Sequence, residues 1–391
     1  MKLIEDFNTV PSLVFIAMTR IVIWAWNLPD IVRSISQLLD TLGEIRVERM
    51  WKDIVDQVRV IVLTVADIPE TLRSELDAVI LPVGLHIRQM RTFVSYSPYS
   101  PSSFFEFPVN CWTSYGTVDT TQLDELLVRD ERRLIGFRYA LACHDCFEDI
   151  VEELFHELTP TQVLCFLQMQ TQKELLSYWT HRVTNDLFNF VILNTPLDVG
   201  RGPNVAHKLA FKYTLRDGSK TGIRYFLDTL PFNEFEYVSN SFLFYLEERP
   251  ITLFNRPRYL PIPPKEHYSD SMYFLLSTFK EEQRNNILPG HHTAVMLNFL
   301  MYPFYGLFSR YGNIWRSNFS LECFYYLLTE IAKLQSLNTN FLDYRLFADL
   351  WSICPLEYKI FITNHDIEIY VATGDRSAHF MLELIRDLEE R

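Results

Sequence analysis

Cys143-His144-Asp145-Cys146, with the carboxylates Glu148 and Asp149 just beyond it, is the stretch whose residue types and spacing could do chemistry. Two cysteines three apart can share a zinc ion or form a redox pair. Zinc needs four ligands, and the chain has no second Cys-x-x-Cys and no His-x-x-x-His. Asp145, Glu148 and Asp149 offer a different chemistry. Carboxylates on a helix can hold magnesium and, through it, a diphosphate. A turn between two helices explains the same residues without any ligand.

Other motifs are incomplete. An apolar run at 190–193 is followed by Gly200-Arg-Gly202, but Val205 stands where a dinucleotide fingerprint needs its third glycine. No Gly-x-Ser-x-Gly occurs, and the ten histidines show no partnered pattern. His291-His292 follows Pro289-Gly290, which places it at a loop or helix start. Arg258, Pro261 and Pro264 fit the +xxPxxP ligand pattern of SH3 domains within a Pro-rich stretch that otherwise serves as a rigid linker.

Composition narrows the class of function. The chain has 391 residues, 48% hydrophobic and 15% aromatic, so it can bury a large core despite a net charge of −13. Twelve glycines are few for phosphate loops or all-β folds. Lysines and arginines do not cluster, which argues against nucleic acid. Residues 119–157 hold eleven acids and four bases. That is first a solvated helix face and second a docking patch for a basic partner. Six dispersed cysteines fit a reduced, cytoplasmic protein. The Asn318-Phe319-Ser320 glycosylation triplet arises by chance in such chains. Arg20 splits the apolar N-terminal stretch, no cleavage site follows it, and no run reaches the ~18 apolar residues of a membrane span.

The elements that must position these residues read as helices. Apolar residues recur at helical spacing over 11–26, 31–42, 46–65 and 72–90, the last interrupted at Pro82. The β-branched run 58–65 permits a strand, with helix preferred. Asp119 or Thr120 can cap a helix over 122–127. Further helices are expected at 269–279, 292–308, 321–334, 341–354 and 376–391, and 356–371 reads as either strand or helix. Residues 94–108 and 251–265 read as linkers around a central block, 109–250. They set it apart from an N-terminal block, 1–93, and a C-terminal block, 266–391.

The central block carries a repeat. Phe137, Tyr139 and Leu141 match Phe211, Tyr213 and Leu215 at an offset of 74. Ile150 and Leu154 match Ile223 and Leu227 at 73. Each copy reads as helix, polar turn, helix, with His144-Asp145 and Asp217-Gly218 as the turns. A middle unit over 162–193 would place Leu175, Tyr178, Trp179 and Val183 in its core. Helix pairs joined so briefly bury their apolar sides only by stacking.

Residues 137–154 and 211–227 resemble degenerate ankyrin repeats. Leu141-Ala142, the turn His144-Asp145, and Ile150, Val151 and Leu154 follow that pattern; so do Leu215, Asp217-Gly218, Ile223, Phe226 and Leu227. No Thr-Pro-Leu-His opens either unit. The layout is also similar to families of arthropod proteins with ankyrin-like helix pairs, in Pro11-Ser12-Leu13, the Ile/Trp-rich residues 21–24, Pro29-Asp30 and residues 137–148. The resemblance implies a protein-binding solenoid and brings no catalytic residues. Asp145, Glu148 and Asp149 also resemble the first acidic motif of terpene synthases. The second motif of that family begins at Asn185-Asp186 but continues with Asn189 and Leu193, losing its last ligand. Asn240 and Glu248 have the right separation, with Ser241 and Phe244 between them.

These readings converge on an all-α fold, an irregular α-solenoid of antiparallel helix pairs behind an N-terminal helical block. The expected function is non-catalytic binding of a protein partner, without cofactor, through the concave face and the acidic region. His144, Asp145, Asp217 and Ser219 are the expected contacts at the exposed turns. A magnesium-dependent lyase or transferase at Asp145, Glu148 and Asp149 is the enzymatic alternative. An adaptor recruiting signalling partners through Arg258, Pro261 and Pro264 is the other.

Overall fold

The computed structural model describes residues 4, 6–7, 10–39, 44–64, 68–95, 108–168, 174–194, 204–248, 265–315, 318–336, 345–373 and 376–390. The fold is all-α. Among the described residues the one β feature is an isolated antiparallel bridge between Trp112 and Val118.

The N-terminal block holds α1 (Leu13–Trp26), α2 (Pro29–Leu39), α3 (Glu44–Thr64) and α4 (Glu70–Ser95). Ser12 caps α1 by accepting the Phe15 N–H. The β-branched run stays helical to the end of α3, because Val58 and Val62 both face the core. Pro82 does not interrupt α4 as its missing N–H suggests. Tertiary packing holds the helix there: the Trp26 indole donates to the Ile80 carbonyl at 3.0 Å, and Gly84 leaves room for the Trp26 ring. A Cβ at Gly84 would lie 2.1 Å from that ring. No single helix among the described residues is long and apolar enough to cross a membrane. α1 and α2 pass that test only as a pair bent by 65°.

The central block follows as α5 (Thr120–Arg129), α6 (Ile135–His144), α7 (Glu148–Phe155), α8 (Pro160–Leu167), α9 (Glu174–Val183), α10 (Leu187–Asn194), α11 (Val205–Asp217), α12 (Lys220–Thr229) and α13 (Phe232–Glu248). Asp119 is the cap of α5, its carboxylate accepting the Thr121 N–H. α6 packs on α9, α9 on α11 and α11 on α13, while α7, α10 and α12 each pair with the helix preceding their turn.

Three helices of the central block stop in the same way. Cys146, Asn185 and Gly218 adopt φ of 54°, 57° and 78°. The next residue's N–H then reaches back to the same carbonyl in each case. Phe147 bonds to Ala142 at 3.0 Å, Asp186 to His181 at 2.7 Å and Ser219 to Thr214 at 3.2 Å. This is the Schellman closure of a helix end. Seven residues before each left-handed position stands a fully buried ring, from Tyr139, Tyr178 and Phe211. Five residues after it, Val151, Phe190 and Ile223 are buried.

The structural register is therefore 72 between the outer units, from Cys146 to Gly218, and differs from the offset of 74 in the sequence. Asp145-Cys146 corresponds to Asp217-Gly218, and the partner of Tyr139 is Phe211 rather than Tyr213. Sequence matching aligns Phe137 with Phe211 by residue type, whereas the left-handed stops at Cys146 and Gly218 align Tyr139 with Phe211. In the middle unit Leu175, Tyr178 and Trp179 are buried and Val183 is half-buried, as expected of its core.

The C-terminal block comprises α14 (Lys265–Thr278), α15 (Glu281–Ile287), α16 (His292–Phe299), α17 (Tyr305–Trp315), α18 (Leu321–Ser336), α19 (Leu346–Ile353), α20 (Leu356–Thr373) and α21 (Arg376–Glu389). The helix expected over 292–308 is two helices, separated around Pro303, whose ring cannot donate to an ongoing ladder. The ambiguous stretch 356–371 is helical as α20. Buried side chains from all three blocks join one contiguous apolar cluster.

A candidate site at the joints between helix pairs

The turn residues gather in a buried polar node where α5, α6 and α12 meet. Asp145 follows the last turn of α6 and Ser219 caps α12; they are 3% and 0% exposed. The Ser219 hydroxyl donates to Asp145 Oδ1 at 2.7 Å and accepts the Gly222 N–H at 3.0 Å. It thus closes a helix end and joins two units in one stroke. Thr121 and Thr221 share a hydroxyl hydrogen bond of 2.8 Å beside them. His144 Nδ1 lies 3.2 Å from Asp145 Oδ1.

Electrostatics set the protons. Burial would push His144 down, but the charges of Asp145 and Asp217 outweigh it and raise its pKa to about 9. Burial likewise opposes ionisation of Asp145. The His144 charge and hydrogen bonds with His144, Asp124 and Ser219 outweigh burial and keep its pKa low. Asp124 goes the other way. Burial and the neighbouring carboxylates Asp145 and Asp119 push it well above the usual range, so it holds its proton. Asp124 and Asp145 interact side chain to side chain, while Asp145 Oδ2 is buried with no hydrogen-bond partner among the described residues. The node joins the Asp124 and Asp145 carboxyls, the His144 imidazole and the Ser219 hydroxyl.

A second joint lies between α9, α11 and α12. Arg216 clamps Glu174 through two bonds of 2.9 and 2.7 Å and bonds Asp217 at 3.0 Å. Asp217 is raised by burial, which Arg216 and His144 only partly offset. Arg182 stacks near the Trp179 and Tyr225 rings, donates to the Tyr178 and Tyr225 hydroxyls, and pairs with Glu148. The Tyr178 hydroxyl meets His207 Nδ1 at 2.7 Å, and burial, with the Arg182 charge, pushes His207 down.

The placement corrects one expectation directly. His144 and Asp217 are partly exposed, whereas Asp145 and Ser219 are interior and present no side chain to a partner. The chain spends them on joining its own helices. The three carboxylates expected to act together diverge: Asp145 points inward, Glu148 pairs with Arg182 and Asp149 is exposed. Among the described residues no group of three or more His, Cys, Asp or Glu side chains is placed to hold a metal. Asn189 bonds Asp186 at 2.8 Å, within its own turn. Cys143 and Cys146 are buried, and burial raises both thiols, Cys146 to about 12, so neither offers a thiolate. A cavity of about 20 Å³ lined by His86, Thr117 and Tyr302 has room for about one water and includes no residue of the node. Arg258, Pro261 and Pro264 lie outside the described residues.

Sequence reasoning missed Asp124, Glu174, Arg182, Arg216 and Tyr225. A signal existed for Asp124: it shares the apolar helical face of Leu127 and Val128, where an acid is out of place. The acidic region divides accordingly. Asp124 and Asp145 are interior, whereas Asp149, Glu152 and Glu153 on α7 and Glu157 just beyond it are exposed.

The chain matches no protein-family model, and no curated protein or solved structure is significantly similar to it.

Proposed function

We propose that this protein is a non-catalytic interaction scaffold, an irregular α-solenoid of ankyrin-like antiparallel helix pairs that binds a basic protein partner. The observation that carries the reading is the division of charge in residues 119–157. Carboxylates at the turns are consumed as internal joints, while Asp149, Glu152 and Glu153 stand exposed along one side of α7, with Glu157 exposed just beyond it beside Arg138. Asp149, Glu152 and Glu153 lie at i, i+3 and i+4, so they form one strip on the helix. Repeated joints between α6, α9 and α11 hold that strip on a rigid support, so binding orders few residues. The expected partner surface is rich in lysine and arginine.

Charge reversal tests the reading. The variant D149K/E152K/E153K touches no buried side chain and should melt within ~2 °C of the unmodified chain. Affinity purification from cells should lose the partner that the unmodified chain retains, and that partner should elute between 0.1 and 0.5 M salt, on the order expected for screened surface charges. An unchanged set of captured proteins would contradict the proposal.

A further inference from the structure

Residues 4, 6 and 7 lie outside any helix, yet Ile4 and Phe7 are buried, at 4% and 8% exposure, in a cleft of the C-terminal block. The Phe7 ring stacks on Tyr273 of α14 with centroids 5.3 Å apart and meets Phe299 of α16 and Tyr311 of α17, each at 6.3 Å. The guanidinium of Arg284 in α15 lies 4.4 Å over the same ring. Asp6 pairs with Arg310 of α17 at 2.7 Å. The Ile4 N–H donates to the Pro303 carbonyl at 3.1 Å.

One main-chain bond, one ion pair and one aromatic anchor are the means by which folded domains read short peptides. The walls also contact one another. Phe299 packs against Tyr311 at 6.1 Å and Tyr273 against Phe304 at 5.0 Å. Their charge is specific as well. Arg284 and Arg310 converge on the position of the acid, with Glu281 also facing Arg310. Arg284 Nε is buried with no hydrogen bond among the described residues. The ion pair itself is roughly half-exposed, so water can replace it when the segment leaves.

We propose that this cleft is a peptide-recognition site for a protein partner bearing the sequence pattern aliphatic–x–acidic–aromatic. In this conformation the chain's own Ile4, Asp6 and Phe7 fill it in cis, as a competing pseudo-ligand. The inference is independent of the acidic strip on α7 and would survive its failure.

A fluorescein-labelled peptide with the sequence of residues 1–12 tests it by anisotropy against the full chain. The cis segment should compete in the unmodified chain, so Phe7→Ala should bind the peptide at least ~10-fold more tightly. Adding Arg310→Glu should weaken that binding by at least ~10-fold, and a peptide carrying Asp6→Arg should restore it. Circular dichroism and thermal melting establish that each variant is folded. Should Phe7→Ala not fold, Ile4→Asp in the full chain, which strands a charge at a buried position of the segment, takes its place. Absence of saturable binding to a folded, released variant would overturn the proposal, as would binding indifferent to Arg310→Glu. A concentration-dependent dimer of the unmodified chain that Phe7→Ala abolishes would assign the cleft to a second copy and overturn the partner-peptide reading.

Discussion

Asp145 shows how one carboxylate can look catalytic in sequence and be structural in space. It lies beside two cysteines, a histidine and further acids, but it is buried, and its Oδ1 bonds Ser219 and meets His144. The protons of the node make stability depend on pH. His144 is raised from 6.5 to about 9, so its contribution is fully present below pH 6.5 and is lost as pH rises through 9. Asp145 is lowered, so its contribution is present above pH 3.8 and is lost on acidification. Asp124 is raised, which removes stability as pH climbs above 3.8. The two raised groups both lower stability as pH rises, and His144 is the one whose window spans pH 6.5 to 9. Urea unfolding at pH 6.5 and pH 9.5 should show a loss of about 1–3 kcal/mol at the higher pH. His144→Gln should lower stability at pH 6.5 and flatten most of that loss. A variant that retained the full dependence would remove His144 from the account.

The left-handed stop is the recurring device at the scale of the element. Each of Cys146, Asn185 and Gly218 ends a helix and turns the chain into the next one. Asn185 is exposed, so its backbone can be tested with little effect on packing. Asn185→Val should destabilise by about 1–2 kcal/mol, since a β-branched side chain resists positive φ, and Asn185→Gly should be neutral or slightly stabilising. Equal stability of the two variants, read by chemical denaturation, would contradict the role of that turn. These stops also mark how far the sequence could be read. Helix positions followed from 3.6-residue spacing, and Asp119 was legible as the cap of α5. The true register of the repeat was not, because the first unit closes on Cys146 and nothing in a cysteine announces a left-handed backbone. The passage of α4 through Pro82 was equally hidden. It depends on Trp26, more than fifty residues away, whose indole bonds to the Ile80 carbonyl. The polar joints were hidden for the same reason: a turn between helices is exposed by default, and only the packing of α5 and α12 around Asp145 buries this one.

Over the whole molecule, charge is sorted by depth. Interior acids such as Asp145 and Glu174 bond across helices, whereas Asp149, Glu152 and Glu153 of α7 are exposed. The blocks read from sequence also meet in space. The Tyr302 hydroxyl donates to the Tyr115 carbonyl at 2.6 Å, Phe15 packs near Tyr115 at 5.9 Å, and Thr19 reaches the Ser114 carbonyl at 3.3 Å. These contacts tie the loop at 112–118 of the central block to both of the other blocks. Zero-length carbodiimide cross-linking of the purified complex, followed by peptide mass spectrometry, tests the proposed role of the α7 strip most directly, because it joins carboxylates to lysines in contact. The account predicts partner lysines attached to Asp149, Glu152, Glu153 or Glu157. A partner that remained bound while cross-linking only to carboxylates elsewhere on the chain would contradict it.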